Sequence, residues 1–101
     1  MVEILQNKEN TDKIEFVASD NGETLGRIAG VLEGDTFVID ELDCEEFFTD
    51  GLVRAILNLM NLHGIDKARF EVPERAEQLK KLHFDKEIVS IAEFFDKGCG
   101  H

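Results

Sequence analysis

The hydrophobic positions of this chain change period once. They alternate up to Cys44, as in strands, and recur at helical spacing from Asp50 to Gly64. Val2–Gln6 alternates weakly and predicts an edge strand, and the polar residues 7–13 predict a loop. Residues 14–18 (IEFVA) predict a strand with Ile14, Phe16 and Ala18 on one face. Asp20-Asn21-Gly22 follows, and Asn-Gly signals a hairpin because both residues tolerate positive φ. Residues 25–32 (LGRIAGVL) return as a second strand, where Gly26 and Gly30 predict bulges or close backbone approach. Glu33-Gly34-Asp35 makes the next turn, and Thr36–Cys44 (TFVIDELDC) the third hairpin-linked strand.

The pattern then turns helical. Leu52, Val53, Ala55, Ile56, Leu57, Leu59, Met60 and Leu62 are apolar, and Arg54, Asn58 and Asn61 form one narrow polar stripe. The rest of that helix is expected to be buried. Thr49 is the expected N-cap, Asp50 suits the positive end of the dipole, and Gly64 is the expected C′ residue. Residues 68–72 (ARFEV) predict the next strand. A strand, a helix and a strand in series imply a parallel, right-handed crossover. Pro73 opens a helix over residues 74–83, with Ala76, Leu79 and Leu82 at helical spacing. Residues 86–89 predict a last strand. Ser90-Ile91-Ala92-Glu93 fits a capping box, ahead of a short helix with Phe94 and Phe95 closed by Gly98. The fold class is α+β (α/β), a mixed sheet in which an antiparallel meander precedes a β-α-β unit and a late helix.

A chain of 101 residues, 43% hydrophobic, makes one domain over residues 1–101 with one core. Asp and Glu number 22 against 11 Lys and Arg, for a net charge of -11. That charge opposes a nucleic-acid backbone or an anionic membrane and attracts cationic amines or basic protein segments. Its plainest reading is solubility. The two cysteines, Cys44 and Cys99, are too few for a disulfide scaffold. The N-terminus lacks the pattern of a secretory signal, and no apolar run is long enough to span a bilayer. A cytoplasmic setting with reduced thiols is expected.

Three stretches carry a family resemblance: FVIDELDC as a strand, GLVRAILNLMNLHGI as the helix after it, and ERAEQLKKLHF as a late helix. Together, over residues 12–84, they resemble the GNAT acyltransferases, which move acyl groups from coenzyme A to amines. The second stretch is similar to the family's Gly-Ile-Gly-x-x-Leu-Leu, and the third to its helix ending in Leu-Gly-Phe, with His83 in the glycine's place. The resemblance implies acetyl-CoA or coenzyme A as cofactor, with its pyrophosphate on the helix-start amides near Cys44, Gly51, Leu52 and Val53. Family members carry Arg/Gln-x-x-Gly-x-Gly/Ala in that turn. Here Phe48 stands at the Arg/Gln position, Gly51 matches the first glycine, and Val53 replaces the second glycine or alanine. The turn is also about one residue shorter. The family's two helices between its first and second strands are missing, which leaves the acceptor side open or covered by a second subunit.

The resemblance makes Glu41 the candidate general base, on one strand face with Asp43. The plain alternative is a solvated acidic surface. The family often uses a late Tyr as general acid, and this chain has none. Cys99 or His101 substitutes only if the tail folds back. Cys44, beside acids, reads as a small core residue and not a nucleophile. Cys99-Gly100-His101 is too few ligands for a metal, so no metal is expected. His63 and His83 read as helix-end residues. Phe47, Phe48, Phe94 and Phe95 read as one apolar cluster, in the core or at a dimer contact. Two functions follow. One is a minimal N-acetyltransferase acting on a cationic amine, with a degraded pyrophosphate turn. The other is a non-catalytic GNAT-fold module for protein contacts, dimerising through an exposed strand edge.

Overall fold

The alternating segments become strands with nearly the expected bounds. The computed structural model of the chain describes residues 1–81 and 88–92. It has β1 (Val2–Gln6), β2 (Ile14–Asp20), β3 (Glu23–Glu33), β4 (Thr36–Cys44), α1 (Glu46–Leu62), β5 (Lys67–Phe70), a 3₁₀ turn (Pro73–Arg75), α2 (Ala76–Lys81) and β6 (Val89–Ser90). The expectations placed on Leu82, His83, Lys86, Glu93, Phe94, Phe95, Gly98, Cys99 and His101 lie outside the described residues. The six strands form one sheet in chain order, antiparallel except for β4 beside β5, which is parallel across the α1 crossover. The α+β class and mixed sheet are therefore as the pattern predicts.

Local chemistry explains the turns. Asn21 and Gly22 have φ of 51° and 85°, and Asp20 pairs with Glu23 across them, as a two-residue type I′ hairpin requires. Gly26 and Gly30 are there because β4 comes too close for a side chain. A Cβ on Gly26 would overlap the Cys44 side chain, and one on Gly30 would overlap the Val38 carbonyl and press on the Phe37 ring. The register shifts at two places. Leu25 is the extra residue opposite β2, and Asp40 is the extra residue opposite β3.

The main helix corrects the sequence reading at its start. α1 begins at Glu46, not near Asp50, and its N-cap is Glu45, without a side-chain cap bond. Thr49 is therefore not the cap. It is buried in the first turn with its Oγ1 3.5 Å from Cys44 Sγ. Packing between that pair ties the first turn to the end of β4, and this tertiary contact outweighs the cap preference of Thr49. The buried stripe is Thr49, Leu52, Val53, Ile56, Leu57 and Met60. It is narrower than expected, because Leu62 is exposed and Ala55 and Leu59 only half-buried. At the other end the Gly64 amide meets the Asn61 carbonyl at 3.1 Å and the Ile65 amide meets the Met60 carbonyl at 2.9 Å. With φ of 79° at Gly64, this is a Schellman cap with the glycine at C′, as expected.

α1 packs across the β1–β4 half of the sheet, and its stripe meets Ala18, Ile28, Phe37, Ile39 and Leu42 in the core. Burial of such aliphatic side chains, each stabilising by about 1.5–3 kcal/mol, holds helix and sheet together. β5 stops at Phe70, two residues short of the expected end, though Val72 is still buried. β6 covers Val89–Ser90 and the helical residues Ile91 and Ala92 follow directly, so Ser90 stands at the position expected for the N-cap, while its expected partner Glu93 lies outside the described residues. Asp66 supports this turn from the end of the crossover: its Oδ1 accepts the Ala92 amide at 2.8 Å and its Oδ2 the Ser90 hydroxyl at 3.0 Å. No helix among the described residues is long and apolar enough to cross a membrane.

Candidate functional site

Two clusters of polar side chains are built by this sheet. The first lies on the face opposite α1. Glu15 alternates with the core residues Phe16 and Ala18 and so points away from the helix, yet it is only 6% exposed. Its carboxylate accepts bonds from Arg27 Nε, from Asn7 Nδ2 at 2.8 Å and from Asn10 Nδ2 at 3.4 Å. Arg27 Nη1 reaches Glu41 Oε1 at 2.9 Å. Lys13 Nζ then bridges Glu41 Oε2 at 2.9 Å and Asp40 Oδ2 at 2.9 Å. Adjacent strand residues normally face opposite ways. The bulge at Asp40 lets one lysine hold both carboxylates.

The electrostatics of this network follow from its pairing. Hydrogen bonds from Arg27 and Lys13 pull the Glu41 carboxyl down to about 2. Burial pushes the Glu15 carboxyl up, but the Arg27, Asn7 and Asn10 bonds outweigh it, and the net shift is downward. Glu41 and Glu15 raise Arg27, and Glu41 and Asp40 raise Lys13. A general base works best with a pKa near the operating pH. Glu41, named as that base from the sequence, is paired with both Arg27 and Lys13, which hold its carboxyl well below that range.

The second cluster surrounds a cleft of about 580 Å³ at the junction of β4 and α1. Residues 24–27 of β3, residues 43–46 and Arg75 line it. Asp43, Glu45 and Glu46 bring three carboxylates, against the guanidiniums of Arg27 and Arg75. Arg27 is held by Glu15 and Glu41. Arg75 donates from Nε to the Leu42 carbonyl at 3.2 Å and from Nη2 to Asp43 Oδ1 at 3.4 Å. The 3₁₀ turn at Pro73–Arg75, closed by the Arg75 amide on the Val72 carbonyl at 2.9 Å, aims that side chain.

The residues named for pyrophosphate binding do not converge on this cleft. Gly51, Leu52 and Val53 are the sixth to eighth residues of α1. Amides so far into a helix are donors to the preceding turn, not open groups at its start. Leu52 and Val53 are fully buried in the core, and a Cβ on Gly51 would meet Ile4 Cδ1 at 2.8 Å. Gly51 therefore makes room for β1. Cys44 does line the cleft, as a buried free thiol. Glu45 alone separates β4 from α1, and its carbonyl receives the Phe48 amide at 2.9 Å. Phe48 is half-buried against the core, while Phe47 stands 84% exposed with its ring edge-on to Phe48 at 5.1 Å.

Sequence reasoning did not find Glu15, Arg27, Lys13, Asp40 or Arg75. The glutamate inside the apolar run IEFVA and the arginine between two glycines were the available signals. Arg75 had none, since only tertiary structure brings it to β4. Among the described residues, no group of three or more His, Cys, Asp or Glu is placed to hold a metal ion. Comparison of the chain with protein-family models, curated proteins and solved structures finds no significant match.

Proposed function

We propose that this chain is a non-catalytic GNAT-like domain that works by binding a basic protein segment at the cleft between β4, α1 and Arg75, and that it does so as a homodimer. Support for the GNAT likeness is the order of elements, with an antiparallel meander leading into a parallel β4-α1-β5 unit. The observation that carries the binding reading is the turn between β4 and α1. One residue, Glu45, forms it, and the Gly51, Leu52 and Val53 amides lie past the first turn of α1, so the residues expected to hold a coenzyme's pyrophosphate are not at the helix start. Asp43, Glu45 and Glu46 surround that turn and would repel the pyrophosphate while attracting a cation, and the two guanidiniums in the same lining, Arg27 and Arg75, are already paired with carboxylates. The free thiol of Cys44 fits a cytoplasmic setting.

A second reading, an N-acetyltransferase acting on a cationic amine, is favoured by one observation. β4 pairs with β5 only from Thr36 to Ile39 and then runs on to Cys44, leaving a notch between the two strands wide enough for the Arg75 side chain. An acyl chain would lie in such a notch.

A thermal-shift titration separates the two, because a ligand of the native state raises the melting temperature by mass action. Acetyl-CoA and coenzyme A are expected to leave the transition in place at millimolar concentration. An alternating Ala-Arg peptide is expected to raise it, less so as salt is added. A saturable rise with acetyl-CoA, together with acetylation of an amine, would overturn the binding reading in favour of the enzyme.

A further inference from the structure

Arg75 behaves as a tethered ligand of this chain's own cleft. Past Ile39, β4 has no strand neighbour on its β5 side among the described residues, and the Glu71 amide to the Ile39 carbonyl, at 2.7 Å, is the last rung of that ladder that they show. The next contact along this edge, among the described residues, is a side chain: the Arg75 guanidinium on the Leu42 carbonyl. A strand edge with an open carbonyl is a template for an added extended segment. The same guanidinium also faces Asp43, and exposed Glu45 lies in the same cleft wall.

We infer that this edge is a docking site for an extended, arginine-bearing segment of a partner protein, and that Arg75 is the internal competitor the segment must displace. The inference rests on the binding reading above and adds the partner's chemistry and a regulation of the site. Charge complementarity selects the partner, since with Arg75 displaced the cleft carries three carboxylates against Arg27, which Glu15 and Glu41 already hold, and the chain has a net charge of -11. The seating of Arg75 selects arginine. A planar fork that reaches a carbonyl and a carboxylate at once suits a guanidinium better than an ammonium. Arg75 fills the place loosely. Its bond to Asp43 is 3.4 Å, against about 2.7–2.9 Å for a well-made charge-assisted bond. An incoming segment makes the same two bonds at shorter distance, adds main-chain bonds along residues 40–44, and leaves Arg75 to solvent.

The affinity for such a segment is lowered by the fraction of molecules in which Arg75 occupies the site. Removing the competitor restores that fraction. Anisotropy with a fluorescein-labelled alternating Ala-Arg peptide reads this directly. Arg75→Ala is expected to tighten binding by about tenfold, the gain when roughly nine in ten molecules are self-occupied. Asp43→Asn is expected to weaken binding in both backgrounds, and the matching Ala-Lys peptide to bind less well. Lys8→Ala, which removes one positive charge from an exposed loop, controls for net charge and is expected to change nothing. In the unaltered protein, the Nε–H resonance of Arg75 is expected to move on titration as its bond to Leu42 breaks, a readout that needs no variant.

Binding by the unaltered chain with no gain in Arg75→Ala, or an equal gain in Lys8→Ala, overturns the competitor and leaves the binding reading standing. A stationary Arg75 resonance during binding does the same. Absence of binding by both the unaltered chain and Arg75→Ala overturns the binding reading itself.

Discussion

Glu15 is the residue on which the outer face of the sheet turns. A carboxylate this buried is tolerated only because a guanidinium and two amides satisfy it. Glu15→Ala leaves the Arg27 Nε and two amides without that acceptor and is expected to cost about 2 kcal/mol in a urea melt. The network also sets a pH window. The folded pKa of Glu41 is depressed to about 2 from its ordinary 4.5, and that of Glu15 is depressed too. Depressed carboxylates contribute stability that is full above their unfolded pKa and is lost as pH falls through the folded value. Urea midpoints are therefore expected to fall between about pH 5 and pH 2. Lys13 carries the opposite sign. Its raised pKa gives stability that is full below its unfolded value of 10.5 and lost only in more alkaline solution. Flat midpoints through the acid window would contradict the pairing. The sequence singled out Glu41 and offered the glutamate in IEFVA and the arginine between two glycines as signals, but not their pairing, which depends on the register of β2, β3 and β4 and on the bulge at Asp40.

At the scale of elements, β3 and β4 are locked together by two glycines. Gly30 lies where a side chain would strike both the Val38 main chain and the Phe37 ring, neither of which is a flexible tip. Gly30→Ala is expected to destabilise by about 1–3 kcal/mol, the usual cost of overpacking. Gly51→Ala serves as the contrast. Its new Cβ meets only the end of Ile4, and an interior helical position gains about 1 kcal/mol of propensity on going from glycine to alanine. A melt of Gly51→Ala close to that of the unaltered chain is the expected result. The close approach at Gly26 and Gly30 could be read from glycines inside a strand pattern. The start of α1 could not. Glu46, Phe47 and Phe48 carry no cap pattern, and the exposed side chain of Phe47 breaks the apolar stripe that marks the rest of the helix.

At the scale of the whole molecule, the described residues leave the β1 edge of the sheet uncovered. Among the described residues β1 pairs with β2 alone, and it holds no proline, lysine or bulge and exposes Val2 and Leu5. Antiparallel pairing of two copies about Ile4 sets Glu3 opposite Leu5 of the second copy, so no like charges meet across the two-fold axis. Light scattering is expected to report a dimer, and Leu5→Lys a monomer. A monomeric unaltered chain would remove the dimer from the proposed function. The edge itself was visible in the weak alternation of Val2–Gln6, since a polar loop follows where a covering element is otherwise needed.

Sequence by itself determined the strand and helix periods, the Asn21-Gly22 hairpin, the Gly64 cap and the parallel crossover. Each rests on residues close in the chain whose φ preferences or burial periods act locally. Only the tertiary structure decided what the β4–α1 junction can hold. It drew the first turn of α1 back onto Cys44 through Thr49, put Gly51 against Ile4, tied Glu41 to Lys13 and Arg27, and brought Arg75 to Leu42 from more than a helix away. Those contacts join residues far apart in sequence, and their energies depend on distance and burial, which no local pattern records.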